Sequence, residues 1–209
     1  MINSNFYLIV FFLISYILGS FPTAYLVARK FSGQDIRKVG TGNVGAMNVQ
    51  RATGKFYLFL LTFLVDAAKA VLAISIPKWF VHFGYNLNWA VTAAAFGAVM
   101  GHCFSIFLKF QGGKAIASLI GILALLNFKW LFLPWAGVCL VFILLTGYLF
   151  LGQFMGTIFL PFIGYFLAPE YFWLCLLIAI PIFFKQWPRF IPMLKGQEPR
   201  WYWKLPKNK

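Results

Sequence analysis

The sequence predicts an all-α, polytopic membrane protein. Hydrophobic residues make up 62% of the 209 residues and charged residues only 11%, whereas soluble domains contain about half and about a quarter. Four acidic side chains are too few to keep a soluble globule of this size hydrated. The composition therefore excludes intrinsic disorder and a disulfide-built secreted domain. We expect residues 1–209 to form a single transmembrane domain.

Seven apolar runs are long enough to cross about 30 Å of hydrocarbon as helices. In chain order they cover residues 5–28, 56–77, 89–108, 114–128, 130–148, 152–168 and 170–184. Pro22 lies inside the first run and is expected to kink its helix, because proline lacks the N–H that an α-helix needs. Ser20 and Thr23 flank this position and are available to satisfy the backbone groups that a kink frees.

Positive charge is concentrated on one side of this predicted bundle. With seven spans, fifteen of the eighteen Lys and Arg residues fall in the segment 29–55, the loop 109–114 and the tail from Lys185. The positive-inside rule therefore predicts an external N-terminus and a cytoplasmic C-terminus. In the tail, Trp201 and Trp203 are typical of an interfacial anchor on anionic lipid. The net charge of +14 thus indicates membrane topology rather than nucleic-acid binding.

The long connection after the first span has the composition of a phosphate site. Gly40, Gly42 and Gly45 match the G-x-G-x-x-G spacing formally, but no strand precedes them, which disfavours a dinucleotide site. Glycines still let a backbone approach an anion and direct successive N–H groups at it. The side chains that would complete such a site are Arg37, Thr41, Asn43, Asn48 and Arg51.

A second segment of this kind precedes the fourth apolar run. Gly112, Gly113 and Lys114 place a glycine turn and an ammonium at a helix N-terminus, where unpaired N–H groups and the helix dipole favour an anion. Leu108 stands where a Walker A loop would have its first glycine, so this is not a nucleotide loop. A plain hairpin turn with one interfacial lysine is the alternative interpretation.

Other polar groups are less informative. His102 and Cys103 are neighbours on a predicted helix and point about 100° apart, which favours packing over a thiol–imidazole pair. Asp66 and Lys69 can pair within the membrane, and both a functional role and simple neutralisation stay open. No Ser-His-Asp set is apparent, and Phe107 stands where a His-x-x-x-x-Asp motif would need its carboxylate. The three cysteines lack ligand spacing, so we expect no metal and no cofactor.

Longer stretches of the chain match a known pattern. They are Gly19–Tyr25, Asp35–Arg37, Gly40–Val49 with Arg51, Asp66–Ala70, Gly101–Lys114 and Gly196–Glu198. Together with the chain length and the predicted topology, these stretches resemble the bacterial acyl-phosphate-dependent glycerol-3-phosphate acyltransferases, the PlsY family.

This resemblance implies transfer of a fatty acyl group from acyl phosphate to the 1-hydroxyl of glycerol 3-phosphate, giving lysophosphatidic acid and phosphate for phospholipid biosynthesis. It implies an enzyme of the bacterial inner membrane whose active site faces the cytoplasm. We expect a monomer in the lipid bilayer. Because both substrates are phosphorylated, two anion sites suit this chemistry. A substrate phosphate would accept the proton in place of a protein base.

The resemblance also implies roles for particular residues. Thr41, Asn43, Arg51 and Lys114 are expected to be catalytic. The residues expected to bind substrate are Arg37, Gly40, Gly42, Asn48, Lys109, Gly112 and Gly113.

The chain departs from the family pattern, mainly in its last third. Thr41 replaces the usual serine, Met47 the usual threonine, and Ala115 the glycine after G-G-K. In the third motif an arginine and a serine are lost, and a later run lacks its histidine and asparagine. The positions concerned are Gly147, Phe150, Gln186 and Arg189.

Three function classes therefore stay open. The first is an active acyltransferase, including one with a different acceptor. The second is a paralogue that binds phospholipid precursors without turning them over. The third, a transporter of phosphorylated solutes, is disfavoured because the chain has no internal repeat.

Overall fold

The computed structural model describes residues 4–197, and every regular element in that range is helical. The prediction of an all-α membrane protein is confirmed. The α-helices of the described residues are α1 (Ser4–Ser20), α2 (Thr23–Ser32), α3 (Ala46–Thr53), α4 (Phe56–Trp79), α5 (Leu87–Cys103), α6 (Ile116–Leu126), α7 (Leu133–Thr146), α8 (Leu149–Leu167), α9 (Phe172–Gln186) and α10 (Phe190–Leu194). The predicted interfacial anchor at Trp201 and Trp203, and Glu198 of the family pattern, lie outside this range.

Six helical segments are long and apolar enough to cross a membrane. They are Asn5–Ser32, Phe56–Trp79, Leu87–Leu108, Phe128–Thr146, Leu149–Leu167 and Pro169–Leu194. The predicted fourth span, 114–128, corresponds only to α6, whose 11 residues extend about 16 Å. Six described segments thus reach this length, and the exact number of spans and the orientation of the termini stay predictions.

Backbone conformation at both ends of α6 explains why it is short. Ala115, directly before the helix, adopts the left-handed region with φ 55°, which an α-helix cannot contain. At the other end Asn127 is extended, and its side chain caps the next helical turn by accepting from the N–H of Trp130 at 3.0 Å. The apolar run is therefore interrupted at positions that its hydropathy does not reveal.

The described chain separates into two compact units, one ending at Leu126 and the other beginning at Asn127. In the first unit α1 packs along α5, and α4 contacts α3, α5 and α6. In the second unit α8 packs against α7 and α9. The expectation that the whole chain acts as a single domain stays a prediction.

Small residues bring α1 and α5 into close contact. A Cβ added to Gly97 would collide with the backbone carbonyl of Phe12, and one added to Gly101 would collide with that of Tyr16. On the facing helix, a Cβ on Gly19 would collide with the backbone of Ala98. Such backbone-to-backbone packing is the usual means of helix association where no hydrophobic effect operates between helices.

The first span is broken rather than kinked at Pro22. Helix α1 ends at Ser20, and α2 begins at Thr23. The N–H of Leu26 donates to the carbonyl of Pro22 at 3.0 Å, so the helical ladder resumes directly after the proline. The predicted interruption is confirmed.

Distant side chains donate hydrogen bonds to two carbonyls at the break. The Ser105 hydroxyl donates to the Ser20 carbonyl at 2.6 Å, and the Lys69 ammonium donates to the Phe21 carbonyl at 2.9 Å. The hydroxyls of Ser20 and Thr23 are buried and make no hydrogen bond within the described residues. Our expectation that these two hydroxyls would satisfy the freed groups is therefore wrong, because Ser105 and Lys69 donate to these carbonyls instead.

Gly97→Ala is expected to destabilise the first unit by about 1–3 kcal/mol, because the added methyl group overpacks the contact with α1. Gly137→Ala on α7 is the matched control, since a Cβ there meets no atom within 4 Å and alanine is the better helix former. Thermal unfolding in detergent measures both variants. An unchanged melting temperature for Gly97→Ala would contradict the close packing.

Ala115→Gly is expected to stabilise the chain by about 0.5–1 kcal/mol. The left-handed region costs alanine about 1–2 kcal/mol, whereas glycine adopts it without steric strain. Part of this gain is offset, because glycine loses more conformational entropy on folding than alanine does. Ala117→Gly, inside α6, is the control and should destabilise by a similar amount. Opposite shifts in melting temperature for these identical exchanges would support the backbone strain. A loss of stability in both would count against it.

Candidate functional site

The first glycine-rich segment forms a tight turn. The N–H of Gly42 donates to the carbonyl of Val39 at 3.0 Å. Gly40 and Gly42 have φ values of 56° and 67°, a region that favours glycine. A side chain at Gly40 would also collide with the amide oxygen of Asn48. Both glycines are thus required by the backbone path, whatever they contribute to binding.

Asn48 holds this turn from the start of α3. Its Nδ2 donates to the carbonyls of Ile36 and Val39 at 3.0 and 2.9 Å, and its Oδ1 accepts from the N–H of Thr41 at 3.2 Å. The residue is only 1% exposed. These bonds assign Asn48 a positioning role in the loop, and its expected direct contact with substrate is not supported by this geometry.

Arg37 is also engaged within the loop. Its Nε and a terminal nitrogen donate to the Asp35 carboxylate at 3.0 and 2.6 Å, and its guanidinium lies over the ring of Tyr25 at 5.4 Å. The side-chain hydrogen bond from Arg37 lowers the pKa of Asp35 to about 2. The pair is therefore charged at neutral pH, and much of the positive charge of Arg37 is neutralised.

Arg51 differs from Arg37 in having no acidic partner. It lies in the last turn of α3 and is half-buried. No carboxylate among residues 4–197 pairs with its guanidinium, and burial lowers its pKa. The hydroxyl of Thr41 is exposed and Asn43 is half-buried; neither side chain makes a hydrogen bond within the described range. These three residues retain the capacity to bind an anion or a hydroxyl group.

The second glycine-rich segment folds back onto the end of α5. The N–H of Gly112 donates to the carbonyl of Cys103 at 3.2 Å, and that of Gly113 donates to the carbonyl of His102 at 3.0 Å. Both N–H groups are therefore already bonded within the protein, and a role of these two glycines in binding substrate stays a prediction. The glycines also permit close packing, since a Cβ on Gly113 would collide with the carbonyl of Val44.

The two lysines of this segment have different environments. Lys114 is buried, with 8% of its surface exposed, and follows directly on Gly113. Lys109 is exposed and has a φ of 53°, so its backbone serves to reverse the chain. Lys114 is therefore the better placed of the two to act inside the protein.

A small pocket, with room for about one water molecule, forms where these parts meet. Val44 of the first segment and Gly112 and Gly113 of the second line it together. Other lining residues come from the broken first span, from α4 and from the end of α5: Gly19, Ser20, Phe21, Pro22, Thr23, Ala24, Asp66, Lys69, His102, Ser105 and Leu108. The pocket thus joins one residue of the first segment to two glycines of the second, whereas its lining does not include Thr41, Asn43, Arg51 or Lys114.

Three further polar residues at this pocket were not predicted as site residues. The Lys69 ammonium lies 2.7 Å from Asp66 Oδ1, and His102 Nδ1 lies 3.9 Å from the same oxygen. The i,i+3 spacing of Asp66 and Lys69 was a usable signal for the first contact. No sequence signal pointed to the approach of His102, because α5 and α4 meet only in the folded chain.

The altered third-motif positions pack together in the second unit. Phe150 is buried with Phe154, and the Arg189 guanidinium lies over the Phe150 ring at 5.3 Å. Gln186 is fully buried, and its Nε2 donates to the Thr157 hydroxyl at 3.1 Å. Gly147 ends α7 with a φ of 73°. Gln186 Oε1 is buried and has no hydrogen-bond partner among the described residues, so this departure leaves an unpaired acceptor in the second unit.

Metal-ligand sets were also sought among the described residues. No group of three or more His, Cys, Asp or Glu residues in that part of the chain could hold a metal ion.

Comparison with known proteins agrees with this architecture. The family model for glycerol-3-phosphate acyltransferase matches residues 9–196. A glycerol-3-phosphate acyltransferase from Wolbachia sp. subsp. Brugia malayi is 38% identical over 189 residues, which are 90% of this chain and 96% of the relative. One from Thermosipho melanesiensis is 39% identical over 170 residues, 81% of this chain and 80% of the relative.

Two solved structures have the same fold. The crystal structure of PlsY (YgiH), an integral membrane glycerol 3-phosphate acyltransferase, in its glycerol 3-phosphate form is 28% identical with a TM-score of 0.80, and the match covers 93% of this chain and 95% of that one. The lysophosphatidic acid form gives a TM-score of 0.76 at 27% identity, with coverage of 92% and 94%. The chain belongs to the glycerol-3-phosphate acyltransferase family.

Proposed function

We propose that this chain transfers an acyl group from an acyl phosphate to the 1-hydroxyl of glycerol 3-phosphate, forming lysophosphatidic acid and inorganic phosphate. Relatives that match most of the chain are named for acylation of this acceptor, and a structural neighbour has a glycerol 3-phosphate form. The observation that carries the proposal is the convergence of the two glycine-rich segments on one pocket. Two phosphorylated substrates must meet at such a place.

The reaction needs alignment more than activation. Acyl phosphate is a mixed anhydride, so its carbonyl carbon is already electrophilic. The 1-oxygen of the acceptor forms the new bond to that carbon, the bond between the carbon and the phosphate oxygen breaks, and phosphate leaves. A substrate phosphate oxygen takes the hydroxyl proton. The protein contributes by holding the two reactants together and by stabilising the developing negative charge.

We assign these tasks to residues of the first unit. Arg51 and Lys114 provide positive charge for the phosphates, and Thr41 and Asn43 orient a phosphate or hydroxyl group. Asn48 and Arg37 keep the first loop in shape, as do the left-handed turns at Gly40 and Gly42. Gly112 and Gly113 allow the second loop to reach the pocket. Lys109, being exposed, is assigned a peripheral role.

We place the enzyme in the bacterial inner membrane with its pocket facing the cytoplasm. The basic segments around the site support this orientation through the positive-inside rule. We propose that a single copy is the active form. Its partners are then the two substrates and the lipid bilayer.

A non-catalytic paralogue that binds phospholipid precursors is the second candidate. The observation that favours it is the buried Phe150 beneath Arg189, which replaces a polar motif of the family by an apolar and cationic pair. The same Phe150–Arg189 pair would also be consistent with an acyltransferase that uses a different acceptor.

The purified chain in lipid is expected to convert palmitoyl phosphate and glycerol 3-phosphate to lysophosphatidic acid and phosphate in equal amounts. Both products are followed together, alongside an active family member. Phosphate without lysophosphatidic acid would point to another acceptor or to hydrolysis. Neither product from folded protein would favour the non-catalytic paralogue.

Arg51→Ala and Lys114→Ala are each expected to lower kcat/KM by roughly tenfold to a hundredfold, because each removes a charged hydrogen-bond donor to phosphate, worth about 1.5–3 kcal/mol. Lys38→Ala is the control, since this exposed cation lies in the same segment as Arg51 and has no assigned role. Near-normal turnover of either test variant would remove that residue from the site.

A further inference from the structure

One charged pair lines the pocket and has no part in the reaction described above. Lys69 and Asp66 both project from α4, with side chains that are 9% and 3% exposed. The lining of the pocket contains three ionisable residues, which are Asp66, Lys69 and His102. Charges buried at membrane depth are costly, and they commonly mark functional positions.

Asp66 Oδ1 has no hydrogen-bond donor in the described structure. Its contact with Lys69 is 2.7 Å long but lacks hydrogen-bond alignment, so the pair is held by Coulomb attraction. His102 Nδ1 at 3.9 Å is too distant to donate. The nearby Ser118 hydroxyl donates to the main-chain carbonyl of Asp66, at 3.1 Å, rather than to the carboxylate.

Other unsatisfied oxygens lie at the same pocket. Ser20 Oγ and Thr23 Oγ1 are buried and have no hydrogen-bond partner among residues 4–197, and both residues line the cavity with Asp66. Buried polar atoms are almost always hydrogen-bonded in folded proteins. Their concentration here leaves acceptors that a polar group entering the pocket, a hydroxyl or a water, could pair with.

Lys69 also has donor capacity left. An ammonium has three N–H donors, and among the described residues only the Phe21 carbonyl accepts an aligned hydrogen bond from it, at 2.9 Å. A hydroxyl group that lies between Lys69 and Asp66 could accept from the ammonium and donate to the carboxylate. A phosphate would not suit this position as well, because the carboxylate would repel it.

We propose that Asp66 and Lys69 bind the 2-hydroxyl of the glycerol 3-phosphate acceptor, and so select a vicinal diol monophosphate. This inference rests on the proposed function. There the proton of the 1-hydroxyl passes to a substrate phosphate, which leaves the 2-hydroxyl as the group that needs a permanent partner. Lys69 is held in position for this task by the carbonyl at the break in the first span.

The test compares two acceptors, glycerol 3-phosphate and 3-hydroxypropyl phosphate, which lacks the 2-hydroxyl. Palmitoyl phosphate is the donor, and lysophosphatidic acid or its deoxy analogue is measured with the full chain in lipid. The wild-type chain should prefer glycerol 3-phosphate in kcat/KM by about tenfold or more, the size expected for hydrogen bonds to charged groups. The ratio of the two kcat/KM values is the readout.

Two variants and a control decide the assignment. The double variant Asp66→Leu/Lys69→Met removes both charges together, and buried ion pairs often tolerate replacement by apolar residues. It should bring the ratio of the two kcat/KM values close to one. Asp66→Asn should lower the ratio by a smaller factor, and it decides the question if the double variant does not fold. Thr62→Val on α4 is the control, because the Thr62 hydroxyl bonds to its own helix at the Leu58 carbonyl.

The outcomes separate the two levels of inference. An active wild-type chain with an unchanged acceptor ratio in the variants would overturn this assignment and leave the proposed function intact. Folded variants that lose turnover with both acceptors alike would also overturn it, since a purely structural role predicts that result. A folded wild-type chain that makes no lysophosphatidic acid would overturn the proposed function and this inference together.

Discussion

The break in the first transmembrane span is the constraint on which the pocket depends. Inside a bilayer no water is available to hydrogen-bond the carbonyls that a proline leaves unpaired, so the protein must supply their partners. Ser105 donates to the Ser20 carbonyl and Lys69 to the Phe21 carbonyl, which also accepts from the N–H of Thr23. These two bonds tie the break to α4 and to the end of α5. The broken segment is thus held in place and forms part of the pocket lining.

Close backbone approach is the second requirement, and glycine meets it in two different ways. On α5 the glycines let two helices pack backbone to backbone, which positions the end of α5 beside the break. In the loops, Gly113 permits contact with Val44, whereas Gly40 and Gly42 supply the left-handed turns. The loops are thereby held against the helices, with Asn48 bonding the first loop internally.

Charge within the first unit is divided between structure and binding. Arg37 is neutralised by Asp35, whereas Arg51 has no acidic partner among the described residues, and this difference distinguishes a loop-forming cation from a candidate phosphate ligand. Lys69 belongs to both groups, because it supports the break and lines the pocket. In the second unit the altered motif includes the contact of the Arg189 guanidinium with the Phe150 ring.

The sequence alone determined the membrane class, the approximate spans, the interruption at Pro22 and the two glycine-rich segments, because hydropathy, proline and glycine act locally along the chain. It did not reveal that α6 is short, since the strained Ala115 and the cap at Asn127 are backbone features within an apolar run. Nor could it assign the hydrogen bonds of Asn48 or the glycine N–H groups. The meeting of Asp66, Lys69 and His102 was decided by tertiary structure, because side chains from separate helices become neighbours only when those helices pack.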